Sequence, residues 1–343
     1  MKNRARPPHK IAAWAAGALA LAVQTAHPAE IKLATILPAG TSGDQCIREM
    51  GDRWQKSSGQ SVRLKVWAGG SQGGEAAVVR KMRGGQLDAA VLSVVGLSEI
   101  DRSVTALQIM PMMFRTWDEV DHVRETIRPD LEQRLLAKGF VTLFWADAGW
   151  VRYFSKKPAT HPNDFKPMSL FVWAGDPAQL QMMKDLEYKP VGLETSDIGL
   201  GLMNNQIQVV PMPPFMALAS QVNKYAPHML DVKWVPIVGA AVIRRETWET
   251  IPAELKKQFL QAAQDAGEKM RLKTRSEDDA AITSMAKRGL TVHAATPEVE
   301  AAWRAIAEKA YPQIRGSRVP ADLFDRVQTT LREFRTTHKP TPQ

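Results

Sequence analysis

The sequence predicts an α/β protein of two lobes that close on a cleft, with a strand that passes between the lobes and a long helical region that either spans both or is kinked. Three observations predict it. Apolar strand-like runs alternate with helix-like runs, the pattern of parallel sheets covered by helices. That alternation stops near residue 150 and restarts near residue 168. A helical stretch from Pro252 to about Arg288 would be roughly 50 Å long at 1.5 Å per residue, more than one small lobe needs.

Each element has its own signal. Ile31 to Leu37 is apolar and stops at Pro38, a buried strand. Ser42 is placed to cap a helix that runs to about Ser57. Ser61 to Val66 alternates as a second strand, and the Gly-rich turn Ala68 to Gly74 leads to a helix from Glu75 to about Arg83. Leu87 to Ser93 is a third strand. A helix from about Asp118 to Lys138 contains Pro129, a residue that breaks or kinks helices, and the strand Phe140 to Trp145 follows. In the second half, Met168 to Trp173 is a strand and Pro177 to Leu186 a helix. Thr195 to Met203 is a short helix and Ile207 to Val210 a strand. Val235 to Ile243 is the strand expected to pass between lobes. Pro252 suits the first turn of the long helix. Helices from Pro297 to about Ala310 and Pro320 to about Arg335 close the chain, and the polar tail after Thr336 is expected to fray.

The chain of 343 residues is 44% hydrophobic and 24% charged, which excludes collagenous, low-complexity and largely disordered classes. Its start has the layout of a secretory signal over residues 1–29. Lys2, Arg4, Arg6 and Lys10 precede the apolar run Ile11 to Val23, and small residues Thr25, Ala26 and Ala29 follow. The apolar run is shorter than the ~20 residues of a membrane span. A retained N-terminal anchor is the alternative. Export places the protein in the periplasm, outside the membrane once the leader is removed. The leader holds four of the 45 basic residues and none of the 36 acidic ones, which leaves 41 basic against 36 acidic. That surplus of five is spread out. The clusters Arg80-Lys81-Arg83 and Lys156-Lys157 lack interleaved aromatics, so no nucleic-acid partner is expected. Cys46 is alone and reads as a small buried hydrophobe in a helix.

No nucleophile elbow and no P-loop occurs. Gly69 to Glu75 is Gly-rich before a helix but lacks the lysine and hydroxyl of a phosphate loop. The histidines share no helical spacing, so no metal and no cofactor is expected. The acidic run Glu277-Asp278-Asp279 reads as a solvent-facing patch of the long helix. What stands out is aromatic: Trp145, Trp150, Trp173 and Trp234 lie at or near strand ends, where large rings wall clefts or pack hinges. With Phe171, Met212, Pro213, Pro214 and Phe215 they suggest an apolar pocket.

The order I-K-L-A-T-I-L-P-A-G-T, V-W-A-G-G-S-Q-G-G-E and L-D-A-A-V-L-S resembles the DctP-type solute receptors of tripartite ATP-independent periplasmic (TRAP) transporters. Ile109 to Phe114 resembles the proline-plus-phenylalanine step of that family, and Pro162 to Met168 its P-x-D-L-K-G-L segment. Thr195 to Val210 resembles its helix-then-strand. The resemblance spans roughly residues 30 to 335. It implies a periplasmic binding-protein fold and a receptor that delivers a small-molecule solute to a TRAP membrane permease driven by an ion gradient, without catalysis. The lobes would then be residues 30–147 with about 238–275, and 148–237 with about 276–320, leaving 321–343 as a final helix and tail.

Two departures from the family pattern bear on the solute. Phe171 stands where the family has an arginine that forks onto a carboxylate, and Met212 where it has a ligand-binding asparagine. In this the chain is similar to an arginine-lacking branch with a Trp-Ala-Gly motif, which implies a hydrophobic ligand. The residues expected at an apolar or uncharged solute are Trp150, Phe171, Trp173, Met212 and Phe215. The alternative is an organic acid held by Arg152 and by backbone N–H groups near Thr41, Ser42 and Gly73. A more remote alternative is a secreted enzyme on the same scaffold.

Overall fold

The computed structural model describes residues 29–338; residues 1–28 of the expected leader and the last five residues of the tail lie outside them. The chain opens with β1 (Ala29–Thr35), α1 (Ser42–Ser57), β2 (Val62–Trp67), α2 (Glu75–Arg83), β3 (Ala89–Ser93), α3 (Val94–Ser98), α4 (Trp117–Ala137) and β4 (Phe140–Trp150). Then come β5 (Arg152–Ser155), α5 (Pro162–Phe165), β6 (Ser169–Trp173), α6 (Pro177–Asp185), β7 (Lys189–Leu193), α7 (Ile198–Met203), β8 (Val209–Met212), α8 (Pro214–Ala219) and β9 (His228–Asp231). The return path is β10 (Pro236–Arg244), α9 (Arg245–Thr250), α10 (Ala253–Ala286), β11 (Thr291–Ala294), α11 (Pro297–Ile314) and α12 (Ala321–Thr337).

These strands build two sheets, in the orders β2-β1-β3-β10-β4 and β11-β9-β5-β8-β6-β7. β1 lies parallel to β2 and β3, whereas β10 runs antiparallel between β3 and β4. β3 is buried along nearly its whole length, as a central strand covered on both faces must be. On one face Ile31, Leu33, Val91 and Phe144 pack with α1 and α10; on the other Ala34, Ala90 and Leu92 face a separate cluster that extends to α4 and α12. Cys46 is buried in α1, in the first of these clusters.

Two adjacent antiparallel segments carry the chain between sheets. β4 passes into β5 with only Val151 between them, and β9 leads through Val232–Val235 into β10. Val151 N–H donates to Val235 O at 2.9 Å, and Trp234 N–H to Val151 O at 3.2 Å, so the crossings are bonded to each other. β10 itself stays in the first sheet, so the strand expected to join the lobes does so only through the residues just before it. The crossing role falls equally on β4–β5, because Val151 alone separates a strand of the first sheet from a strand of the second.

α10 is one continuous helix of 34 residues and needs no break. Its N-terminal half buries Phe259, Ala263, Ala266 and Met270 against the first sheet, and its C-terminal half buries Ala281 and Met285 against the second. α4 is also unbroken at Pro129, which is exposed, so the carbonyl it leaves without a donor can be hydrated. The α1 cap is Thr41, whose Oγ1 accepts from Asp44 N–H at 3.4 Å; Ser42 is the first helical residue.

Candidate functional site

The residues of interest lie where the carboxyl ends of the two sheets approach each other beside α10. On the second lobe, strand alternation fixes which side chains share a face. Arg152 and Phe154 of β5 point to one side; Met212 pairs with Arg152, and Phe171 lies on the same side of β6. Met212 belongs to a cluster with Phe154, Val210 and Ile198, and Phe171 and Phe215 pack against it. Phe171, Met212 and Phe215 are therefore brought together.

Trp173 stands apart from them at the end of β6. Its indole folds back over Gly175, where a Cβ would come within 2.2 Å of the ring, and this is why a glycine closes the Trp-Ala-Gly step. The ring N–H donates to Glu194 Oε2 at 3.1 Å. Both groups lie against Gly74, the N-cap of α2 on the first lobe: a Cβ there would be 3.4 Å from Glu194 Oε2 and 3.8 Å from the indole. Trp173 thus meets the other lobe directly.

Trp150 does not wall this seam with its ring. The indole is buried against Trp117 at a centroid distance of 5.1 Å, with Lys233 above it, and belongs to the large cluster that continues from the first sheet into the second lobe. Its contribution here is the backbone: Trp150 N–H donates to Asp278 Oδ2 at 3.0 Å, and Phe215 N–H to Asp278 Oδ1 at 3.3 Å. Asp278 is 7% exposed, so the middle residue of the acidic run departs from the solvent-facing patch expected of it, whereas Asp279 is exposed. Helical spacing explains it, since Met270, Thr274, Asp278, Ala281 and Met285 form one buried stripe.

Burial pushes the Asp278 carboxyl up to about 6, against the pull of the two N–H donors and of Arg152; Asp279 adds to the rise. The folded-state value lies above the ordinary 3.8, so the stability linked to this group is present at acid pH and is lost as pH rises through 6. The full swing is on the order of 3 kcal/mol. Asp278→Asn is expected to remove this component. Thermal midpoints of the two proteins from pH 7 to pH 4 should diverge in favour of wild type, and parallel curves would refute the assignment.

Arg152 is 6% exposed, and its Nε donates to Asp231, the facing residue of β9. Its Nη1 is buried with no partner among the described residues. Two of the first-lobe N–H groups expected to hold an anion are spent locally. Thr41 N–H donates to Pro38 O at 3.3 Å and Gly73 N–H to Gly70 O at 2.8 Å. Ser42 uses its hydroxyl on Glu277 Oε2 of α10, at 2.7 Å.

Sequence reasoning missed two features. Glu75, at the start of α2, is buried and accepts from Ser93 N–H at 2.6 Å and from Ser93 Oγ at 2.5 Å; burial pushes its carboxyl up while these bonds pull it back. His228 and His293, separated by 65 positions, meet across β9 and β11 with ring nitrogens 3.2 Å apart. Burial and His293 lower the His228 value. Among the described residues no group of three or more His, Cys, Asp or Glu is placed to hold a metal ion, and no helix is long and apolar enough to cross a membrane.

The family described as bacterial extracellular solute-binding protein, family 7 (DctP) matches residues 33–316. The chain is 20% identical over 226 residues to the C4-dicarboxylate-binding periplasmic protein DctP of Rhodobacter capsulatus, covering 65% of this chain and 67% of that one. Among solved structures it is similar to a TRAP periplasmic solute-binding protein from Ralstonia eutropha with bound (S)-2-acetolactate. The TM-score there is 0.82 at 19% identity, over 89% of this chain and 99% of that one. A second such protein, from Sulfurospirillum deleyianum with bound succinate, gives 0.80 at 21% identity, over 88% and 98%.

Proposed function

From the premise that the chain belongs to family 7 of the bacterial extracellular solute-binding proteins, we propose that it is the periplasmic receptor of a TRAP permease and takes a small uncharged or largely apolar solute. The carrying observation is the joining of Phe171, Met212 and Phe215 in one cluster beside an arginine whose Nε is already held by Asp231. An arginine neutralised by a neighbouring carboxylate offers a second anion little net attraction. Affinity then comes mainly from apolar area, at about 25 cal/mol per Å². Trp173 and Glu194, set against Gly74, supply the contact through which the lobes shut on the solute. The lobes in this reading divide near residues 147 and 237 and along α10.

A specific observation favours a second reading, a receptor for a small organic acid. The buried, unpartnered Nη1 of Arg152 is a costly orphan that a ligand carboxylate would satisfy; two of the relatives above carry a dicarboxylate in the name or bound, and the third holds a bound monocarboxylate. Native mass spectrometry of protein purified without refolding identifies a retained solute, and calorimetric titration separates the readings. On the first reading, Phe171→Ala weakens binding at least tenfold, Arg152→Ala weakens it less than threefold, and raising salt changes little. Tight binding of succinate that Arg152→Ala abolishes would replace the first reading with the second.

A further inference from the structure

A cavity of about 430 Å³ that shares no lining residue with the seam lies between the loop before α4 and the last two helices. Its size falls in the range of small-molecule sites, roughly 300–1,000 Å³. Four arginines line it: Arg115 from the loop, Arg304 from α11, and Arg332 and Arg335 from α12. Glu308 is the single acidic residue of the lining. We propose that this cavity binds a phosphate group carrying a short organic arm.

The walls are fixed before any ligand arrives. Arg335 donates to Glu119 through Nε at 2.7 Å and through Nη2 at 2.9 Å, and also to Met113 O at 2.7 Å. Arg304 Nη1 donates to Met112 O at 3.1 Å, and Tyr311 OH to Pro111 O at 2.7 Å. Met112 N–H in turn donates to Trp234 O at 2.7 Å, which ties the loop to the segment crossing between lobes. The guanidinium groups of Arg115 and Arg332 make no hydrogen bond among the described residues. Burial, with Arg335 and Arg304 close by, holds Arg115 below the usual arginine value, opposed by Glu119 and Glu300. Like charges crowded in this way are relieved by an anion.

The chemistry of the anion follows from the number and shape of the donors. A guanidinium presents a planar fork that matches carboxylate and phosphate oxygens. One fork suffices for a carboxylate. Two open forks flanked by two anchored ones suit a group with three oxygens and nearly two charges, as a phosphate monoester has near neutral pH. Tyr311 and Leu331 give the same cavity an apolar side, which the organic arm would cover.

The test is calorimetric titration of the full chain at fixed ionic strength with glycerol 3-phosphate, inorganic phosphate and glycerol, and sedimentation with phosphatidic acid or phosphatidylcholine vesicles. Glycerol 3-phosphate is expected to bind one site, at least tenfold more tightly than inorganic phosphate, with no heat from glycerol. The double variant Arg115→Gln/Arg332→Gln should weaken it at least tenfold, and Glu308→Gln should tighten it. Arg332→Gln alone, on an exposed helix position, serves if the double variant does not fold. Selective sedimentation with phosphatidic acid, lost in the same variants, would assign the phosphate to a lipid headgroup; titration without sedimentation assigns it to a free ester. Affinity unchanged by the arginine variants, or no binding of any phosphate probe, would overturn the proposal. Phe171→Ala should leave this binding intact, so its failure and that of the seam reading are separable.

Discussion

Arg124→Met is expected to destabilise the protein by about 3–5 kcal/mol, the range for stripping one partner from a buried ion pair. The Arg124 side chain is 2% exposed and that of Asp147 is fully buried. Arg124 reaches Asp147 Oδ1 at 3.3 Å and Asp121 Oδ1 at 2.7 Å. From α10, Arg275 reaches the same two carboxylates, at 2.5 Å and 2.6 Å. Burial, with the nearby Asp121 adding to it, pushes the Asp147 carboxyl up, and the two guanidinium groups pull it back. Methionine keeps the volume of the arginine stem and removes its charge, leaving Asp147 half compensated. Urea unfolding at pH 7 gives the loss, and the double variant Arg124→Met/Asp147→Leu should recover part of it. A single-variant loss below ~1 kcal/mol would show that the cluster is not balanced in this way.

The second large effect is expected at Gly149, where Gly149→Ala should cost on the order of 3 kcal/mol or more. Gly149 has φ +88°, and a Cβ there would lie 2.4 Å from Asp278 Oδ2. The left-handed backbone alone costs an L-residue roughly 1–2 kcal/mol. The rest comes from moving Asp278 off its two N–H donors, at ~1.5–3 kcal/mol for a hydrogen bond to a charged group. The two contributions separate in an Asp278→Ala background, where the clash is gone. There Gly149→Ala should cost only the backbone share, read by thermal unfolding. An equal cost in both backgrounds would mean that Asp278 has no part in it.

The residues disclosed the architecture well because strand and helix periodicity is local. The strands near residues 31, 62, 89, 140 and 169 and the long helix from 253 all lie close to their expected places. Short β5, β7, β9 and β11 escaped notice: β5 and β9 are only four residues each, Lys189–Leu193 contains a proline and a glycine, and the edge strand β11 is largely exposed. The site was harder. Phe171 and Met212 stand together as their strand-end positions suggest, but Trp150 turned to Trp117, a partner 33 positions earlier that periodicity does not reveal. Asp278 was legible in hindsight, because its place in the 3–4 stripe of α10 outweighs its membership of an acidic run. The contacts of Glu75 with Ser93 and of His228 with His293 are tertiary, and only the register of the sheets brings those residues together.

α10 seats residues 259–270 in one core and residues 281–285 in another through a single uninterrupted hydrogen-bond ladder. Each residue of a helix turns it by about 100° and advances it by about 1.5 Å. Inserting one residue between Met270 and Ala281 would therefore swing the second-lobe contacts a quarter-turn or more away from their pockets while the first-lobe contacts stayed put. Seven added residues nearly restore the phase, about 20° short of two full turns, yet displace the far end by roughly 10 Å. Neither phase nor length has slack there. Length variation among chains built on this plan should therefore collect in the loops, and the span between the two cores should keep a constant residue count.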